Sequence, residues 1–263
     1  MSRFCPLFSS SSGNCTYIGS ADGGILIDAG VSARRTVLAL KDIGVDMGDI
    51  GAVFVTHEHS DHISGLRVLA GRHSLDVYTS AGTLDALESM GELTTGYAAR
   101  VIPAEGVEVC GMHISAFATS HDSRESVGYL VEMPDSRRVA VATDTGFVTE
   151  AMMQALLGAD LVLLESNHDV RMLQNGPYPY YVKRRVLSDE GHLSNDTCAE
   201  TIITLLQNGG TRFVLGHLSR ENNHPELAMQ TTRAALSRIG ARENIDYILS
   251  VAGTGPSPRL TVF

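Results

Sequence analysis

The sequence predicts an α/β fold in which mixed β-sheets are covered by outer helices. Three observations lead there. Strand-like apolar runs alternate with helix-like segments in the first part of the chain, the middle reads as strands joined by short turns, and alternation then returns. Alternation favours parallel strands with crossover helices, whereas tight turns between strands require antiparallel pairs, so both kinds of pairing are expected.

Residues 24–28 give the first clear strand, residues 31–43 read as a helix, and residues 52–55 form a strand that runs into a cluster of histidines. Residues 107–118, 126–132 and 138–142 read as strands connected by turns such as Met133-Pro134-Asp135-Ser136. Further strands follow at 161–165, 212–216 and 247–251, with helices at 195–207 and 225–239. The low-complexity stretch Ser9-Ser10-Ser11-Ser12-Gly13-Asn14 lies between strand-like pieces and reads either as a flexible turn or as part of a site.

At 263 residues and 43% hydrophobic, the chain can bury a sizeable core, and one domain over residues 1–263 is expected. No stretch approaches the roughly 18 apolar residues of a membrane span, and the start lacks a signal-peptide hydrophobic region, so a cytoplasmic protein without membrane contact is expected. Four cysteines without CxxC spacing read as buried reduced thiols. The formal charge of −10 opposes binding of nucleic acid by the whole surface and leaves phosphates to metal ions or a local basic stretch.

Chemistry concentrates in Thr56-His57-Glu58-His59-Ser60-Asp61-His62, where four potential ligands follow directly on an apolar strand. Imidazole and carboxylate together suit Zn²⁺ and neighbouring divalent metals, and the absence of cysteine points to an open catalytic site rather than a closed structural one. The competing reading is a set of satisfied surface histidines. His73 and His113 lack ligand neighbours and read as surface or core residues, and His224, before Pro225, as a turn residue ahead of a helix.

The spacing His57-x-His59-x-Asp61-His62 resembles the signature motif of the metallo-β-lactamase superfamily. His121, Asp144 and His217 follow in the order that superfamily uses, each at a strand end. The resemblance implies an αββα sandwich, two mixed β-sheets flanked by helices, and two divalent ions, Zn or Mn with Fe as a further option. It implies that His57, His59 and His121 hold one ion, that Asp61, His62 and His217 hold the other, and that Asp144 bridges them. Leu26-Ile27-Asp28-Ala29-Gly30 resembles the early strand whose aspartate supports the metal loop.

Four further segments, Ser11-Ser12-Gly13-Asn14-Cys15 and those around Glu165-Ser166-Asn167-His168, Gly191-His192-Leu193-Ser194-Asn195 and His217-Leu218-Ser219-Arg220, resemble the YycJ/WalJ family. That family implies a metal-dependent nuclease, a 5′-to-3′ exonuclease on double-stranded DNA linked to bacterial mismatch repair. Its chemistry is similar to that of tRNase Z, where a histidine paired with a glutamate serves the leaving group. His192 and Glu165 resemble that pair and join Asp61 as the catalytic residues, although the long inserted arm that grips tRNA is missing. A role for His192 beside the cap of the helix starting at Ser194-Asn195 is the plainer alternative.

Candidate substrate contacts are Ser12, Asn14, Asn167 and His168, with Lys183, Arg184 and Arg185 in Tyr178-Pro179-Tyr180-Tyr181-Val182-Lys183-Arg184-Arg185. There aromatic and cationic side chains interleave as bases and phosphates would require. The alternative for that segment is a solvated loop with a few buried tyrosine rings. Competing functions are a small-molecule (cyclic) phosphodiesterase, a thioesterase or lactamase, a non-catalytic metal-binding scaffold and a di-iron redox protein.

Overall fold

A computed structural model describes residues 1–253 and 260–263. Contacts group the chain into two compact units. The first comprises Met1–Ala116, Ser123–Arg137 and Gly253–Phe263, and the second Phe117–Asp122 and Arg138–Ala252.

In the first unit, β1 (Arg3–Phe8) and β2 (Cys15–Gly19) form an antiparallel pair around the serine stretch, and β3 (Gly24–Ile27) adds antiparallel to β2. After α1 (Ala33–Asp42), β4 (Ile50–Phe54) pairs parallel to β3. Then come the short α2 (Ser60–Ile63), α3 (Leu66–His73), β5 (Asp76–Thr79), α4 (Ala81–Ser89) and β6 (Ala99–Val101), with β5 and β6 extending the parallel part. The strand Thr261–Val262 closes the other edge against β1, which completes a mixed seven-stranded sheet. Every residue of β2 and β3 is buried, and β3 accordingly reads as a continuous apolar run and not as alternation. Leu26, Val53 and Val77 are fully buried in this unit's core, each worth about 1.5–3 kcal/mol of transfer free energy.

The stretch read as one strand over 107–118 is in fact a hairpin, β7 (Val107–Val109) and β8 (Met112–Ala118), paired antiparallel with Val109 opposite Met112. Cys110 and Gly111 both take positive φ, 50° and 70°, as a two-residue turn of the type that matches strand twist requires. Glycine at the second position was the available signal, but cysteine at the first hid it. β9 (Val127–Glu132) follows.

The second unit is built on β10 (Arg138–Ala142), β11 (Leu161–Glu165), β12 (Arg212–Gly216) and β13 (Ile248–Val251), paired in that order and all parallel. Between them run α5 (Glu150–Leu156), α6 (Val170–Asn175), α7 (Tyr180–Val186), α8 (Asn195–Gln207) and α9 (Pro225–Arg238). Thr149, Asp169 and Ser194 cap α5, α6 and α8 through their side chains, and Pro225 opens α9 at the position where its missing N–H costs nothing. The tyrosine-rich segment is helical rather than a loop, and Tyr180 and Tyr181 are 76% and 74% exposed. Among the described residues no helix is long and apolar enough to cross a membrane.

Parallel strands bring their C-terminal ends to the same edge of a sheet, and there the chain turns sharply. Asp28 after β3, Asp144 after β10 and His217 after β12 all adopt the left-handed region, with φ of 63°, 58° and 53°. For non-glycine residues that conformation costs energy and persists only where the surroundings fix it, so these three strand ends are held by their neighbours.

The loop carrying Asp61 is pinned from the same side. Asn14 N donates to the Asp61 carbonyl at 2.8 Å and Gly30 N to the Asn14 carbonyl at 2.8 Å. A Cβ on Gly30 would lie 1.7 Å from the Asp61 carbonyl oxygen, so only glycine permits this approach. Gly30→Ala is therefore expected to lower the thermal midpoint of the metal-free protein by several degrees, read by circular dichroism. An unchanged midpoint would show that the loop is not pinned.

Candidate metal centre

In the first unit, β4 delivers Thr56 and His57 from a fully buried strand end, and α2 turns His62 inward while His59 and Asp61 stay partly exposed. The imidazoles crowd together, with ring centroids 4.6 Å apart for His57 and His59 and 4.1 Å for His57 and His62. Beneath them lies the buried carboxylate of Asp28. It accepts from Thr56 N at 2.8 Å, from Thr56 Oγ1 at 3.0 Å and from His62 Nδ1 at 2.7 Å.

A carboxylate only accepts, so the proton of His62 sits on Nδ1 and the lone pair on Nε2. Thr56 Oγ1 spends its proton on Asp28 and accepts from His57 Nδ1 at 3.1 Å, which gives His57 the same tautomer.

The second unit repeats this arrangement. His121, three residues beyond β8, donates from Nδ1 to the Gly191 carbonyl at 3.0 Å. Glu165, at the end of β11 and fully buried, accepts four hydrogen bonds. Oε1 takes His192 Nδ1 and His217 Nδ1, both at 2.8 Å, and Oε2 takes the backbone N–H of Thr145 at 2.9 Å and of Leu193 at 3.2 Å. Burial by itself would raise the Glu165 carboxyl, but the charge of His192 and the hydrogen bonds from His192 and His217 outweigh it and hold the group well below the usual carboxylate range. The donor atoms of Asp144, Glu165, His192 and His217 all lie within 4.8 Å of one another.

His57, His62, His121 and His217 thus each have Nδ1 held by an oxygen, which makes Nε2 the nitrogen able to coordinate. Within each unit, imidazoles with the second nitrogen anchored in this way lie near a carboxylate, Asp61 beside His62 in the first and Asp144 beside His217 in the second, and have the chemistry of divalent-metal ligands.

The sequence profile of the Beta-lactamase superfamily domain matches residues 24–218. The chain belongs to that family. Exodeoxyribonuclease YycJ of Bacillus anthracis is 37% identical over 240 residues, 90% of each chain. Exodeoxyribonuclease WalJ of Streptococcus pneumoniae is 36% identical over 248 residues, 93% of this chain and 92% of its own.

Among solved structures, Zn²⁺-bound PqqB from Methylobacterium extorquens aligns over 99% of this chain and 100% of its own with a TM-score of 0.76 at 18% identity. The short form of human tRNase Z aligns over 83% of this chain and 93% of its own with a TM-score of 0.61 at 19% identity. The fold is that of the metallo-β-lactamases, two mixed β-sheets flanked by helices, and the chain is a metal-dependent hydrolase.

The remaining candidate residues separate. Asn14 is buried with its amide 3.1 Å from His62 Nε2, whereas Ser12 sits exposed at the tip of the serine turn. Asn167 donates from Nδ2 to the His217 carbonyl at 3.0 Å and so braces that strand end. His168 is buried, and neither ring nitrogen has a hydrogen-bond partner among the described residues. His192 and the cap on α8 coexist, because Ser194 Oγ accepts from Thr197 N while His192 meets Glu165.

In α7, Lys183 donates to the Gln174 carbonyl at 2.8 Å, and Arg185 makes a two-pronged ion pair with Asp122, next to His121; Arg184 is exposed. Sequence reasoning missed that pair, the second imidazole on Glu165 and the amide on His62. None leaves a signal in spacing, since the partners lie 48 to 63 residues apart.

Two outcomes follow. Asp28→Asn is expected to keep the fold and weaken metal affinity by about 10–100-fold, measured by competition with a chromogenic chelator; unchanged affinity would remove Asp28 from the account. Burial pushes the His168 imidazole down from 6.5 to about 4. Between those values the unfolded chain takes up the proton first, so stability falls as pH drops through that window. Denaturant unfolding of the metal-free protein at pH 7 and pH 5 should show a smaller loss for His168→Gln than for the wild type.

Proposed function

We propose that the chain is an exonuclease that hydrolyses double-stranded DNA from 5′ ends with two divalent ions, Zn²⁺ or Mn²⁺, in the cytoplasm and in the service of DNA repair. The reading is carried by the named activity of relatives 36–37% identical over nine-tenths of their length, and by the Glu165–His192 hydrogen bond. It treats residues 1–263 as one hydrolase domain, because the family match runs through stretches of both units. The ligand assignment follows the family resemblance: His57, His59 and His121 for one ion, Asp61, His62 and His217 for the other, and Asp144 between them.

When bound, the ions supply Lewis acidity to the phosphoryl oxygens and an activated water. The chain supplies the proton for the leaving alkoxide. His192 is the most exposed of the Glu165-linked groups, its side chain 12% exposed against 2% for His217. Its Nδ1 is bonded to the Glu165 carboxylate, which leaves Nε2 as the nitrogen that gives up the proton, and His192 serves as the acid. DNA contact is assigned to Tyr180, Tyr181 and Arg184, exposed rings and an exposed cation on one short helix, which suits stacking on bases and pairing with phosphate. Lys183 and Arg185 on the same helix are engaged with the Gln174 carbonyl and with Asp122.

Purified protein with Mn²⁺ or Zn²⁺ and end-labelled linear duplex is expected to release mononucleotides from 5′ ends and to be inactive after chelation. Cleavage of bis-p-nitrophenyl phosphate alone would replace the exonuclease by a small-molecule phosphodiesterase. His192→Ala should lower kcat by about 10²–10⁴-fold with normal metal content; loss of metal would contradict its role as acid.

A further inference from the structure

Asn14 sits on the nitrogen of His62 that the metal reading requires. Because Asp28 holds the His62 proton on Nδ1, Nε2 presents its lone pair, and the Asn14 amide donates to it at 3.1 Å. The same amide nitrogen lies 3.3 Å from the Asp61 carbonyl and 3.4 Å from Asp61 Oδ2.

Its mount is rigid. Asn14 Oδ1 accepts from Ser10 N at 3.1 Å, Asn14 N donates to the Asp61 carbonyl at 2.8 Å, and the Asn14 carbonyl accepts from Gly30 N at 2.8 Å, so every polar group of the residue is used. Gly13 takes a φ of 152°, and a Cβ there would come within 2.4 Å of the Val31 side chain, which fixes the path of the turn. The residue is 6% exposed.

We infer that Asn14 is a substrate-binding residue of this site: metal loading releases its N–H from His62 Nε2, and that N–H then donates to an oxygen of the phosphate bound at the metal held by Asp61 and His62. A fixed amide donor beside developing negative charge works without reorganisation, as in an oxyanion hole. The same geometry makes the amide a place-holder on the ligand nitrogen before loading. The serine turn, low in complexity, is thereby the scaffold that aims one donor.

The inference rests on Asp61 and His62 being metal ligands, and the test separates the two. Metal affinity is read by chelator competition and inorganic phosphate binding to the Zn²⁺-loaded protein by calorimetry, for wild type, Asn14→Ala, Asn14→Asp and His62→Ala. Asn14→Ala should hold metal as tightly as wild type or a few-fold tighter, since a competing hydrogen bond is gone, yet bind phosphate about 10-fold more weakly. Asn14→Asp, with a carboxylate in place of the donor, should hold metal at least as tightly and lose phosphate binding.

A more than 10-fold loss of metal in Asn14→Ala, or unchanged phosphate binding in a loaded Asn14→Ala, overturns the inference. Retention of full metal by His62→Ala overturns instead the ligand reading beneath it. Metal-free thermal midpoints of the variants identify any that fail to fold, and the Asn14→Asp variant then carries the comparison.

Discussion

Everything at the metal centre depends on one interaction, a buried oxygen that accepts the Nδ1 proton of an imidazole. It recurs with different acceptors: Asp28 behind His62, the Gly191 carbonyl behind His121, and Glu165 behind both His192 and His217. Each bond decides a tautomer, and the tautomer decides which nitrogen is offered outward. Burying the Glu165 carboxylate is costly, and four donors filling its lone-pair directions offset that cost. Removing any one of them leaves part of a buried charge unsatisfied, so the arrangement resists change one residue at a time.

The fold's share of the work is placement. Neighbouring parallel strands lie about 4.8 Å apart, so the ends of β10, β11 and β12 set Asp144, Glu165 and His217 side by side before any side chain is chosen. Left-handed turns at Asp144 and His217 then fold the chain back so that the side chains converge. The same device at Asp28, after β3, serves the first unit. Glycine matters where backbones meet, at Gly30 and Gly13, and the hydrogen bonds around Asn14 show why the serine turn needs both.

Most of this was legible in the sequence where chemistry is local. The cluster His57, His59, Asp61 and His62 is contiguous, and the apolar strands leading to it and to Asp144, Glu165 and His217 fall where hydrophobic runs put them. Asp28 and the Glu165–His192 pair came through family resemblance rather than spacing. What the sequence hid are interactions whose partners are brought together only by the tertiary fold. Nothing in Tyr178 to Arg185 says that Arg185 is tied to Asp122 while Arg184 is exposed, and nothing in a serine run says that its asparagine meets a histidine 48 residues on. The hairpin at Cys110-Gly111 was hidden for a different reason, because cysteine is an uncommon residue at positive φ.

The net charge of −10 bears on how such a protein meets an anionic polymer. Long-range attraction to such a polymer is not available from the average surface. The most direct test of the orientation on which the account rests is long-range ¹H–¹⁵N correlation of the imidazoles in the metal-free protein near neutral pH. His57, His62, His121 and His217 are expected with the proton on Nδ1 and unprotonated Nε2; an Nε2–H tautomer at His62 or His217 would contradict it, because the nitrogen meant for the metal would carry the proton instead.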